Sequence, residues 1–286
     1  MVYVPTMTAM MRALIPILLL PALLSAGPVI EVWPEGRIPG EFTTEPEATV
    51  PRDDGFTRIT NVSRPTITLF PATRTDGKPA PAVIICPGGG YQYTVVDKEG
   101  AEIATWLNAA GITALVLKYR TPKNREGALQ DAQRALRLVR SRAVEWSIDP
   151  HRIGMMGFSA GGHVTARAST TFDKPAYAAI DEIDQENPRP DFTLLIYPAY
   201  LDDGRGGLSP DLSLNDALPP TLIVHTEDDT RHVTGSYIFH KALEEANVSH
   251  QFKLYPTGGH GYGLHCEGDA RVWPEDALRW LKELLK

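Results

Sequence analysis

Two cysteines in 286 residues are too few for a disulfide-stapled scaffold or a four-thiolate zinc site. Positive charge is also in deficit. Twenty-eight Lys and Arg face 35 Asp and Glu, a formal net charge of −7. That balance argues against a protein that grips a phosphate backbone, which needs a cationic face. Beyond the first 27 residues no stretch approaches 18 consecutive apolar residues, so no later segment reads as a membrane-spanning helix. The 24 glycines and 24 prolines are scattered, which excludes collagen-like and low-complexity architectures. What remains is an ordinary globular composition, 43% hydrophobic and 22% charged, in a chain long enough to bury a large core without covalent staples.

The N-terminus stands apart. Arg12 is the only charge before Glu31, and the run from Ala13 to Leu24 ends in the small pair Ser25-Ala26. A basic residue, a short apolar run and a small-residue end are the features of a secretory signal peptide, predicted over residues 1–26. The apolar run, about 12 residues, is too short to cross a hydrocarbon core of roughly 30 Å. The expectation is a secreted or periplasmic protein with no membrane partner after signal removal. Export permits a bond between Cys86 and Cys266, although two separate thiols are the preferred reading.

Residues 27–62 are rich in Pro, Glu and Thr and read as an irregular arm. From residue 63 to 286 strand and helix signals alternate. Thr66–Phe70 alternates as a half-buried strand. The stretches 82–86, 113–117, 153–157, 192–197 and 221–225 are apolar runs of the kind found in strands covered on both faces. Ala128, Ala132, Ala135, Leu136, Val139, Ala143 and Trp146 recur at helical spacing. Pro274 opens a last helix with a stripe at Ala277, Leu278, Leu281, Leu284 and Leu285. This order predicts one α/β domain, a mostly parallel sheet with helices on both faces.

Four segments carry chemistry. Gly157-Phe158-Ser159-Ala160-Gly161 follows one apolar strand and precedes a helical stretch. There a serine sits on a sharp, strained turn that lifts its hydroxyl above the sheet. Cys86-Pro87-Gly88-Gly89-Gly90-Tyr91 follows another strand, and its glycines let backbone N–H groups approach a ligand. His225-Thr226-Glu227-Asp228-Asp229 runs from a strand into acids, and Gly258-Gly259-His260-Gly261 places a histidine in a glycine loop. The order Ser159, acid, His260 is that of α/β-hydrolases, and each group lies at the C-terminal end of a strand, where open α/β sheets bind ligands. Asp228 is the preferred acid and Asp229 the alternative. Arg231 and His232 put a basic pair beside the site, read as a helix cap in preference to contacts with a charged substrate such as a uronic acid.

With these segments in place, the chain resembles secreted esterases of the α/β-hydrolase superfamily, in the branch of bacterial acetyl xylan esterases and related carbohydrate deacetylases. The similarity runs from about residue 80 to the C-terminus. It includes Pro87 to Tyr91, Asp149-Pro150-His151-Arg152-Ile153-Gly154 leading into the serine turn, Arg189-Pro190-Asp191-Phe192, and Trp273-Pro274. The resemblance implies an α/β-hydrolase fold with Ser159 as nucleophile, Asp228 as orienting acid and His260 as base. It implies oxyanion donors at Gly89, Gly90 and Ala160. Two departures stand out: Pro87 replaces the histidine that often precedes the three glycines, and Asp229-Thr230-Arg231-His232 replaces a common Asp-x-x-Val-Pro continuation.

About 20 residues separate the strand ending near Tyr200 from the one starting near Thr221, too few for a lid domain over a long acyl chain. The expected substrate is therefore a short ester, an acetylated carbohydrate, with Tyr91 lining its pocket. No metal-ligand spacing appears, so no cofactor is expected. A prolyl-oligopeptidase-like peptidase and a non-catalytic hydrolase-fold binding protein are the rival readings.

Overall fold

The computed structural model describes residues 27–286 apart from 73, 75 and 216, so the expected signal peptide lies outside the described residues. The apolar runs become strands as expected. They are β4 (Thr66–Phe70), β5 (Ala80–Cys86), β7 (Thr113–Lys118), β8 (Ile148–Phe158), β9 (Thr193–Ile196) and β10 (Thr221–Thr226), and β11 (His250–Tyr255) follows them. With β1 (Val29–Glu31) they form one eight-stranded sheet in the order β1-β4-β7-β5-β8-β9-β10-β11. The strands β7, β5, β8, β9, β10 and β11 run parallel to one another, while β4 pairs antiparallel with both β1 and β7.

Strand alternation sorts the core into two halves. Ala82, Ile84 and Cys86 of β5 pack on the face covered by α2 (Arg125–Ser141) and α3 (Ala160–Thr170). Val83 and Ile85 pack on the other face with α1 (Glu102–Ala109) and α5 (Trp273–Leu284). A period of two sends successive side chains to opposite faces, and both faces are dry. Helix α4 (Val233–Glu245) buries Phe239 and Leu243 against Leu195 and Ile223 of the neighbouring strands.

The arm is more ordered than expected. It supplies β1 to the sheet edge, and β2 (Ala48–Thr49) and β3 (Arg58–Thr60) join β6 (Thr94–Val95) in a small three-stranded sheet. These strands are two or three residues long, so no periodicity marks them in the sequence. A buried polar knot ties the arm to the domain. Asp131, fully buried on α2, accepts from Trp33 Nε1 at 2.7 Å, from the Arg120 backbone N–H at 2.9 Å and from Arg120 Nε at 3.0 Å. Arg120 is equally buried, so removing the carboxylate strands a cation. Asp131→Ala is expected to cost about 3–5 kcal/mol, read as a lower urea midpoint. A loss below about 1 kcal/mol would mean that the knot relaxes around the charge.

Candidate active site

Strand β8 ends in the serine turn. Ser159 has φ 51° and ψ −118°, a conformation that costs an L-residue energy and persists only where surrounding packing enforces it. The packing is tight: a Cβ on Gly161 would run into the Cys86 and Pro87 carbonyls, and one on Gly157 into the Gly161 carbonyl. Only glycine at both positions lets α3 start this close to β5 and β8. The Ser159 N–H donates to Ile196 O at 3.1 Å, and its carbonyl accepts from Ala199 N at 3.0 Å, which anchors the turn to the end of β9.

The Ser159 hydroxyl meets His260 Nε2 at 2.7 Å, and His260 Nδ1 meets Asp229 Oδ2 at 2.6 Å. The acid against the histidine is thus Asp229, not the preferred Asp228. The two side chains leave the turn after β10 in different directions. Asp229 is 5% exposed and points inward, whereas Asp228 is exposed and accepts the backbone N–H groups of Gly258 at 3.1 Å and Gly259 at 2.9 Å. Asp228 therefore holds the backbone of the histidine loop, helped by Thr226 Oγ1, which donates to Gly259 O at 2.8 Å.

A second histidine shares the acid. His225 Nε2 lies 2.9 Å from the same Asp229 oxygen, and His225 Nδ1 lies 2.7 Å from Ser236 Oγ. Burial opposes ionisation of Asp229, but hydrogen bonds from His225 and His260 outweigh it and hold the carboxyl well below the usual carboxylate range. Burial pushes His225 down despite the acid, so it stays neutral and donates. His225, Asp229 and His260 also form the one cluster of metal-ligating type among the described residues, their ligand atoms within 4.8 Å of one another. Both imidazoles are hydrogen-bonded to a single carboxylate oxygen, which fits a proton-handling arrangement.

The glycine loop after β5 borders the serine. Gly88 N–H is taken by Glu99 Oε2 at 2.7 Å. The amides of Gly89, Gly90 and Ala160 find no partner among the described residues. Gly89 has φ 136°, and a Cβ there would collide with the Tyr93 carbonyl, so the loop shape requires glycine. Glu99 also accepts from Tyr197 Oη at 2.8 Å, and Tyr197 Oη accepts from Gly263 N–H at 2.9 Å. One buried carboxyl thereby ties the glycine loop to the histidine loop through Tyr197. Burial pushes its acidity down, that is, its pKa up, against these hydrogen bonds.

The family model described as BD-FAE matches residues 69–193. The crystal structure of an acetyl ester-xyloside bifunctional hydrolase from Caldicellulosiruptor lactoaceticus is 30% identical. It superposes with a TM-score of 0.74 over 92% of this chain and 98% of that one. The chain belongs to the acetyl xylan esterase-like α/β-hydrolases. An acetylxylan esterase of Xylanibacter ruminicola is 31% identical over 64% of this chain and 41% of its own length. An endo-1,4-beta-xylanase B of Butyrivibrio fibrisolvens is 31% identical over 68% of this chain and 34% of its own. The chain thus spans about a third to two fifths of the length of these relatives.

In this hydrolase the serine and histidine open into a cleft of about 600 Å³. Tyr91, expected to line it, does not: it is 2% exposed and its hydroxyl bonds to His163 Nδ1 at 2.8 Å. A left-handed φ of 60° at Tyr91 turns the side chain into the core. Tyr93 and Tyr200 form the cleft wall in its place, with Arg52 and Arg58 from the arm and Arg231 and His232 from the turn after β10. Burial, reinforced by the nearby His260, pushes His232 down to about 4, so it is neutral at pH 7. Cys86 and Cys266 are free, Cys86 being buried and Cys266 partly exposed.

Four of these residues escaped sequence reasoning. His225 ends an apolar run that marks only a strand. Glu99 is a charge in a short irregular stretch, with nothing local to mark it as buried. Arg52 and Arg58 reach the cleft through the fold of the arm, for which one sequence carries no local signal.

Proposed function

We propose that this hydrolase removes acetyl groups from carbohydrate esters through a covalent acyl-serine intermediate. The observation that carries the reading is the continuous chain Ser159–His260–Asp229, at 2.7 and 2.6 Å, opening into a polar cleft. A serine hydroxyl is a weak nucleophile unless its proton has somewhere to go. His260 Nε2 takes that proton as Oγ attacks the ester carbonyl. Asp229 fixes the tautomer, with the proton on Nδ1, and stabilises the imidazolium. The carbonyl oxygen becomes negative and is held by the free amides of Gly89, Gly90 and Ala160, each such donor being worth about 2.7–4 kcal/mol in the transition state. His260 then returns the proton to the leaving alcohol. Water repeats the sequence on the acyl-enzyme and releases the acid.

Two features support a short acyl group on a sugar. Between β9 and β10 the described residues contain no helix, only a loop with a single bridge between Asp202 and Leu208. The cleft walls are polar and aromatic, with Tyr93 and Tyr200 offering flat faces of the kind sugars stack on. The N-terminal apolar run supports export, which suits a polymeric substrate outside the cell.

Acyl-length preference tests the reading. With purified protein, kcat/KM for 4-nitrophenyl acetate is expected to exceed that for the octanoate by at least about tenfold, since only a covered apolar groove could recover binding energy from six further methylenes. Faster octanoate cleavage would refute the short-acyl assignment. Acetate release from acetylated xylan, pectin and small acetyl sugars, run side by side, identifies the alcohol.

A further inference from the structure

The protein carries a net charge of −7, yet the rim of its cleft is cationic. Arg52, Arg58 and Arg231 line it, and the one acidic residue in that lining, Glu99, is buried beneath the glycine loop. Arg58 is neutralised by Asp54. Arg52 and Arg231 have no carboxylate within ion-pair distance among the described residues, and neither does Arg125, which packs on Tyr200 of the cleft wall. Aromatic faces orient two of them without cancelling their charge: Arg52 lies 5.3 Å from the centroid of Tyr93, and Arg125 4.7 Å from that of Tyr200.

The helix-cap reading of Arg231 and His232 does not hold. His232 occupies the N-cap position of α4 but makes no side-chain cap hydrogen bond. A cation just before a helix N-terminus sits at the unfavourable end of the helix dipole, so Arg231 gains nothing from α4. Its place relative to the chemistry is definite. The His232 ring is 4.8 Å from the His260 ring, and His260 is the group that hands its proton to the departing alcohol. Arg231, next to His232 in the chain, lines the same cleft.

Resting on the esterase reading above, we infer that the preferred alcohol is an acidic saccharide, an acetylated oligosaccharide carrying a uronic acid carboxylate close to the ester. Arg231 meets the carboxylate at the leaving-group end, and Arg52 and Arg125 raise the local concentration of the anionic substrate. Arginine suits this task because its planar fork pairs with a carboxylate through two hydrogen bonds and keeps its charge at any working pH.

The test compares three substrates with the purified full chain: an acetylated neutral xylo-oligosaccharide, the same oligosaccharide bearing glucuronic acid, and that compound with the uronate methyl-esterified. Acetate release is expected to show kcat/KM about tenfold higher for the free uronate at low ionic strength. The advantage should vanish on methyl esterification. It should also vanish in ~1 M NaCl, where the screening length falls to about 3 Å. In Arg52→Gln/Arg231→Gln the ratio of acidic to neutral rates should fall to near one. Equal kcat/KM for all three substrates in the unmodified protein overturns the inference while leaving the esterase reading intact. Cleavage of 4-nitrophenyl acetate with none of the saccharides deacetylated overturns the inference and the saccharide assignment together. Failure to cleave any ester removes the esterase reading itself, and the inference with it.

Discussion

Ser159→Ala is expected to lower kcat for 4-nitrophenyl acetate by about 10⁶-fold, some 8 kcal/mol of barrier, because it deletes the only atom that forms the acyl bond. The fold should be untouched. The side chain bonds to His260 Nε2, and the strained backbone at φ 51° is held by the close packing at Gly157 and Gly161, not by the hydroxyl. Thermal unfolding and far-ultraviolet circular dichroism should therefore match the unmodified protein. Labelling by a fluorophosphonate, which needs an activated serine, should disappear. A variant that still turns over within about tenfold of the parent would show that another nucleophile carries the reaction, and the proposed mechanism would be wrong.

Replacing each of the two neighbouring acids separates their roles. Asp229→Asn should cost about 10⁴-fold in kcat, because an amide in place of the carboxylate favours the wrong imidazole tautomer and cannot stabilise the imidazolium. The site makes the loss severe: Asp229 is nearly buried and its one oxygen serves both His225 and His260. Asp228→Asn keeps one acceptor oxygen for the amides of Gly258 and Gly259, so the histidine loop should shift only slightly. Its kcat should stay within about tenfold of the parent, a change of roughly 1.4 kcal/mol. Steady-state kinetics on the pair decides between them. Should Asp228→Asn prove the more damaging, the acid that counts would be the one that holds the loop.

These two residues also mark the limit of local reading. The segment His225 to Asp229 was visible as a strand running into acids, but adjacent residues in a turn point apart, and one dihedral step decides which faces inward. Tyr91 failed for the same kind of reason: a position beside three glycines implied the cleft, and a left-handed φ sent the ring to His163. Gly89 and Gly90 fared differently. Their amides have no partner among the described residues, whereas that of Gly88 is taken by Glu99, a residue 11 positions away.

Chemical identity along the chain was enough to determine six core strands, β4, β5, β7, β8, β9 and β10, the parallel character of most of the sheet, and the serine turn. Continuous apolar runs must be covered on both faces, and only glycine fits where Gly157 and Gly161 sit. The tertiary structure alone decided that Asp229 faces His260, that His225 and Glu99 stand behind the reacting groups, and that two arginines from the N-terminal arm enter the cleft. Those placements depend on contacts between segments tens of residues apart, whose energies come from burial and hydrogen bonding that no local pattern encodes.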